Sequence, residues 1–251
     1  MFAFAPAAQS VVPVAGRPDV LFPVHRIYCV GRNYAEHDLE MGGTGRGTPC
    51  FFAKPADAVV AIDPKKTAEV DFPSMTENLQ HEVERVIAIG KGGCDIAVED
   101  ARSHVYGWAV GVDLTRRDLQ AAAKEQRRPW TTAKGFDQSA PVSYIKPIDE
   151  APDMQRADLW LYVNNQERQK GNTAAMIWSI DEVIAEISRY WELRPGDLIF
   201  TGSPAGVARI VKGDVVRAGC SGAGTIAFKP VKNVSKGPAA ASFMVGGGSG
   251  Q

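Results

Sequence analysis

No run of about 18 consecutive apolar residues occurs in the 251-residue sequence, so no membrane-spanning helix is expected. An excess of charge of either sign is also missing. The 28 Lys plus Arg stand against 29 Asp plus Glu, which leaves no global field to gather nucleic acid or an anionic membrane. A small-molecule ligand is the default that remains. Cysteine is sparse: Cys29, Cys50, Cys94 and Cys220 form no CxxC pair and lack the density of a secreted disulfide scaffold, so they read as reduced, mostly structural thiols. The uncharged residues 1–16 lack a basic start, and Pro6, Gln9 and Pro13 interrupt them. A secretory signal is therefore not expected, and a cytoplasmic location is. Several catalytic signatures are absent as well: the GxxxxGK[ST] phosphate loop, the GxGxxG dinucleotide fingerprint, the GxSxG nucleophile elbow and the HExxH zinc pattern.

What is present is a composition of 45% apolar and 23% charged residues, ordinary for a globular protein, with 25 Gly and 16 Pro that argue for many turns and against an all-helical bundle. A first strand is expected at residues 26–30. After it, residues 34–41 have the length of two helical turns, which Gly42, Gly43, Gly45 and Gly47 would end, an arrangement that suits a lid. Short strands follow at 50–53 and 58–62. From His81, HEVERVIAIGK alternates with Glu82, Glu84, Val86 and Ala88 on one face of a strand. A short helix is expected at 97–103. The next strand, HVYGWAVGVD, has a small face of Gly107, Ala109, Gly111 and Asp113, along which something must pack closely. Thr115 and Asp118 resemble a capping box opening a helix that Pro129 stops. A hairpin over 160–168 turns at Asn164-Asn165. Ser179 and Glu182 form a second capping box, with Ile180, Val183, Ile184 and Ile187 behind it at helical spacing. Two strand-turn units end the fold, and the small-residue segment 233–251 reads as a flexible tail. These elements predict a β-rich α+β domain, a folded-over sandwich or roll.

Two carboxylates on one strand face are costly to place together unless they are exposed or neutralised by a cation. Glu82 and Glu84 are thus half of a candidate metal site, and Asp113 adds a third oxygen ligand. Such a set favours Mg²⁺, Mn²⁺ or Ca²⁺ over zinc. On pattern alone, three ordinary solvated side chains remain the alternative. His37 and Glu40 share a face if their segment is helical, and the carboxylate would then raise the imidazole's basicity for drawing a proton from water. Lys134, Arg117 and Gln120 are each able to bind a carboxylate or a developing oxyanion. Thr201 precedes GSPAG, where turning backbone would leave its hydroxyl and nearby N–H groups free for a ligand.

The stretches IYCVGRNYAEHDLEMG, CFFAKP, HEVERVIAIGK, YGWAVGVDLTRRDLQ, PWTTAKGFDQSAPV, LYVNNQERQKGNTAAMIWSI and GDLIFTGSPAGV occur in an order that resembles the fumarylacetoacetate hydrolase family, from Arg26 to Val231. The likeness is to its acylpyruvase and fumarylpyruvate hydrolase branch. It implies a mixed β-sandwich roll that forms homodimers. Residues 1–24 would be an N-terminal extension, 25–232 the catalytic domain with a lid at about 33–48, and 233–251 a tail. The resemblance implies Mg²⁺ or Mn²⁺ on Glu82, Glu84 and Asp113, and a lid dyad of His37 and Glu40. Lys134 would be catalytic, and Arg117, Gln120 and Thr201 would contact a small 2,4-dioxo acid. Gln80 and Ser203 depart from the family pattern, which has a histidine and a threonine there, but neither is a proposed ligand. Decarboxylation of oxaloacetate, isomerisation of a hydroxyheptadienedioate and a catalytically silent metal-binding protein are the alternative functions.

Overall fold

The computed structural model describes residues 2–35, 46–150 and 155–232. Most of the helical segment expected at 34–41, with His37 and Glu40, and the tail beyond Lys232 lie outside this set. The described chain is β-rich, as expected, with strands far outnumbering short helices. Its centre is a mixed sheet whose strands lie in the order Cys50–Lys54, Ile27–Gly31, Leu198–Phe200, Val83–Ile89, Val105–Val112, Ala140–Ser143 and Val59–Ile62. A second sheet runs Gln166–Asn172, Asp158–Val163, Val216–Cys220, Gly224–Lys232 and Ala68–Phe72.

Both faces of the central sheet are covered, which is why every residue of Val83–Ile89 is buried rather than every second one. On one face, Val83, Ile87, Trp108 and Val110 pack with Leu159, Leu161 and Phe228 of the second sheet and with Val183 and Ile187 of the helix Ile180–Tyr190. That helix starts as expected: Glu182 returns a carboxylate to the Ser179 N–H at 2.9 Å, and the Ser179 hydroxyl accepts from the Glu182 N–H. The opposite face carries Val86, Ala88 and Ala109. It is covered by Val12, Val14 and Phe22 of a hairpin, Val11–Val14 with Arg17–Pro23, which precedes the strand at 26–30 expected to be the first.

The small face of Val105–Val112 is as close-packed as its composition requires. A Cβ on Gly107 would lie 2.3 Å from the Lys146 carbonyl oxygen, and one on Gly111 would lie 2.5 Å from Phe200 Cε1. The hairpin at Asn164 and Asn165 turns with φ of 50° and 66°, the left-handed pair that a tight two-residue turn needs.

Two expectations are corrected. HEVERVIAIGK is not one strand: the chain pairs in a small three-stranded sheet over Leu79–His81, leaves it at Glu82, and enters the central sheet at Val83. Thr115 and Asp118 do not form a capping box. Thr115 is drawn into the small sheet opposite Gln80, and Asp118 accepts instead from the Thr76 hydroxyl at 2.6 Å and the Glu77 N–H at 2.8 Å. The helix Arg117–Glu125 ends before Pro129, at a turn where Arg127 has φ 53°. No helix among the described residues is long and apolar enough to cross a membrane.

Gly111→Ala should cost about 1–3 kcal/mol of stability, because Phe200 and Val86 both have to shift. Urea unfolding monitored by tryptophan fluorescence would measure it.

Candidate metal centre

The site forms where two paired strands leave the central sheet together. Val83 pairs with Val112, and beyond that pair both chains bend: one through Glu82 into Leu79–His81, the other through Asp113 and Leu114 into Thr115–Arg116. The Asp113 N–H donates to the Glu82 carbonyl at 2.8 Å and keeps the two bends in register. The carboxylates of Glu82, Glu84 and Asp113 converge there. One oxygen from each lies within 4.8 Å of the others, and the residues are 6%, 1% and 0% exposed. The alternative of three solvated side chains is thereby ruled out.

Three buried carboxylates in contact are untenable without countercharge. Lys134, at the end of the short helix Thr131–Lys134, puts Nζ 2.8 Å from Glu82 Oε2 and 2.6 Å from Asp113 Oδ2. Lys54 Nζ approaches Asp113 Oδ1 at 2.8 Å and also donates to the carbonyls of Leu114 and Lys134. Arg117 pairs with the remaining Glu82 oxygen. Burial pulls the Lys134 pKa down, but the Asp113 and Glu82 carboxylates outweigh it and hold the ammonium above its usual range. Glu84 has no salt-bridge partner among the described residues and accepts the Gly202 N–H at 2.7 Å. Burial first, then Asp113 and Glu82, push its carboxyl well above the ordinary value. The cluster is thus short of positive charge at Glu84. Three carboxylates meeting at one point, with no sulfur or imidazole ligand among them, fit a hard divalent cation such as Mg²⁺, Mn²⁺ or Ca²⁺.

The sequence model of the fumarylacetoacetate (FAA) hydrolase C-terminal region matches residues 26–230, most of the chain and all of this centre. The chain belongs to the fumarylacetoacetate hydrolase family. Among its relatives, the mitochondrial oxaloacetate tautomerase of Mus musculus is 41% identical over 203 residues, 81% of this chain and 90% of the relative. The mitochondrial oxaloacetate decarboxylase of Dictyostelium discoideum is 39% identical over 200 residues, 80% of this chain and 90% of its own length. The crystal structure of fumarylpyruvate hydrolase from Pseudomonas aeruginosa, in complex with Mn²⁺ and pyruvate, superposes with a TM-score of 0.89 at 45% identity, covering 92% of this chain and all of that one. A family enzyme with an acidic triad able to hold a divalent metal follows directly.

Of the other residues marked in this family member, Arg117 and Gln120 do reach the cleft above the triad, together with Lys134. The Arg117 guanidinium is largely engaged within the protein, however. Besides Glu82 it donates to Gln80 Oε1 at 2.7 Å and Gln120 Oε1 at 2.5 Å, so Gln80 serves here as an acceptor that positions this arginine. The expectation that Thr201 offers a free hydroxyl is corrected. Thr201 is fully buried, its hydroxyl donates to the Arg85 carbonyl at 3.0 Å, and the next N–H is the one held by Glu84. Ser203, rather than Thr201, lines the cleft, with its hydroxyl donating to the Val83 carbonyl at 2.9 Å.

Sequence reasoning missed Lys54 and Asn33. Lys54 is 3% exposed at the end of an otherwise apolar strand, and that lone cation in CFFAK was the available signal. Asn33 is fully buried and bridges the Trp178 and Thr201 carbonyls at 3.0 and 2.8 Å.

Asp113→Ala should weaken Mn²⁺ binding by more than the ~10–100-fold typical of losing a supporting residue, measured by calorimetry. Lys134→Met removes the ammonium from two buried carboxylates and should destabilise the metal-free protein by roughly 3–5 kcal/mol. Mn²⁺ should restore part of that loss in a thermal melt; equal losses with and without metal would contradict the electrostatic account.

Proposed function

We propose that this enzyme hydrolyses a carbon–carbon bond of a small 2,4-dioxo acid, fumarylpyruvate to fumarate and pyruvate being the leading case and other acylpyruvates the wider class. The observation that carries this reading is the buried Glu82, Glu84 and Asp113 cluster beneath a cleft lined by Arg117, Gln120 and Lys134. The 45% identity to a fumarylpyruvate hydrolase whose structure holds Mn²⁺ and pyruvate supports it.

A divalent cation on the three carboxylates would polarise the substrate's 2-oxo group and stabilise enolate charge. The chain's own residues supply the rest. His37, paired with Glu40, takes a proton from the water that attacks the C4 carbonyl; both lie outside the described residues, and the dyad rests on the family motif. Lys134, with an ammonium held firmly protonated by Asp113 and Glu82, offsets the negative charge on the attacked carbonyl's oxygen. The C3–C4 bond then breaks with its electrons passing to C3, which takes up a proton and leaves pyruvate. Arg117, itself held by Gln80 and Gln120, pairs with Glu82 at the wall of the cleft. We place the enzyme in the cytoplasm as a homodimer. The described free cysteines fit a reducing compartment, and the dimer rests on family likeness.

The tautomerase and decarboxylase relatives favour a second reading, in which oxaloacetate is the substrate. That reaction uses the same bound 2-oxo acid and enolate but no attacking water. Values of kcat/KM for fumarylpyruvate, acetylpyruvate and oxaloacetate with Mg²⁺ and Mn²⁺ decide between them. Cleavage of the dioxo acids is expected; CO₂ release from oxaloacetate with intact acylpyruvates would overturn the hydrolase reading. His37→Ala should lower hydrolytic kcat by ~10²–10⁴ while sparing Mn²⁺ affinity, and normal turnover in that variant would sink the dyad.

A further inference from the structure

The strand Ile27–Gly31 ends beside the metal centre, and the next residue, Arg32, has φ 60°, a left-handed backbone that an arginine rarely adopts. Its surroundings force this. Asn33 is locked by hydrogen bonds to the Trp178 and Thr201 carbonyls and from the Trp178 N–H at 2.7 Å, while its own carbonyl accepts the Ile177 N–H at 2.8 Å. Gly202 allows the approach: a Cβ there would lie 2.7 Å from Asn33 Cβ and 3.2 Å from the Val30 carbonyl oxygen. A non-glycine residue held this way costs on the order of 1–3 kcal/mol and persists only where the surrounding structure imposes it, a pattern that gathers at ligand sites.

The side chain so placed lines the same cleft as Glu82, Glu84, Arg117, Gln120 and Lys134. Its situation differs from that of the other cations. Lys54, Lys134 and Arg117 are all committed to the carboxylates of the centre. Arg32 has no ion pair among the described residues, and its buried Nε has no hydrogen-bond partner there. Lys124 is held below its usual pKa by burial and then by the repulsion of Arg32 and Arg117. A planar guanidinium with an unpartnered donor, lining a cleft beside a candidate cation site, matches a carboxylate.

We propose that Arg32 receives the second carboxylate of the substrate, at the end away from the metal centre, and so selects dicarboxylic over monocarboxylic oxo acids. This rests on the functional reading above insofar as the first carboxylate and 2-oxo group lie at the Glu82, Glu84 and Asp113 centre. The carboxylate supplies to Nε the acceptor it lacks, and the left-handed backbone at residue 32 fixes the direction from which the guanidinium approaches.

The test uses the Mn²⁺-loaded enzyme and its Arg32→Gln and Arg32→Lys variants. The ratio of kcat/KM for fumarylpyruvate over acetylpyruvate should fall about 10–100-fold in Arg32→Gln, the range expected for a lost charge-assisted pair, with part of it regained in Arg32→Lys. Equal falls on both substrates, or an unchanged ratio, would overturn the assignment. Arg32→Gly, which accepts the left-handed backbone, makes the same comparison if the glutamine variant does not fold. Calorimetric titration with fumarate and with pyruvate separates this proposal from the hydrolase reading. A wild-type enzyme that cleaves neither dioxo acid refutes the reaction. Fumarate affinity that drops more than pyruvate affinity in Arg32→Gln still supports the role of Arg32, and parallel changes refute it.

Discussion

Three carboxylates forced together in the interior set the terms for everything around them. Glu82, Glu84 and Asp113 are nearly inaccessible to water, and each needs positive charge or a hydrogen-bond donor to be tolerated as an anion. Lys54, Lys134 and Arg117 come from three separate parts of the chain to meet this demand, and Gly202 contributes a backbone N–H. The elements carrying these groups are otherwise unrelated: an edge strand, a four-residue helix, a longer helix and a turn after a buried strand. Their packing around one bend ties the electrostatics of the centre to the tertiary fold.

Rigidity comes from the way the central sheet is clad. With the second sheet and the helix Ile180–Tyr190 on one face and the N-terminal hairpin on the other, the strand bearing Glu84 has no solvent side on which to relax. The glycines of the neighbouring strand let Phe200 and the Lys146 backbone press close. Asn33 then joins the end of another strand to the loop following Phe200, so that the cleft wall and the ligand-holding turn share one set of hydrogen bonds.

Much of this was legible in the residues, for identifiable reasons. Period-two alternation found the Glu84 strand, small residues marked the close-packed face, and Ser179 with Glu182 announced a helix start, because each signal is local and unopposed. Where tertiary pairing outweighed local preference, the reading failed. Thr115 looks like a helix cap but is taken by Gln80 across a small sheet, and Asp118 by Thr76 and Glu77. A continuous strand through Glu82 was the natural reading of HEVERV, since nothing in the sequence says that two neighbouring strands bend at the same place. Lys54 was missed and the Thr201 hydroxyl misread for a related reason: their partners, Asp113 and the Arg85 carbonyl, lie far away in sequence.

That shared bend gives the centre a mechanical character. Glu82 and Asp113 occupy a seam, one sheet beginning on either side of them, while Glu84 is anchored wholly within the larger sheet. The spacing of the three oxygens therefore depends on both sheets and on the bend between them. Leu79 and Ile210, fully buried in the core beside that bend, are joined through the Ile210 N–H to the Leu79 carbonyl. The positions of the three carboxylates are in this sense tied to hydrophobic packing along that seam, one layer removed from the oxygens themselves.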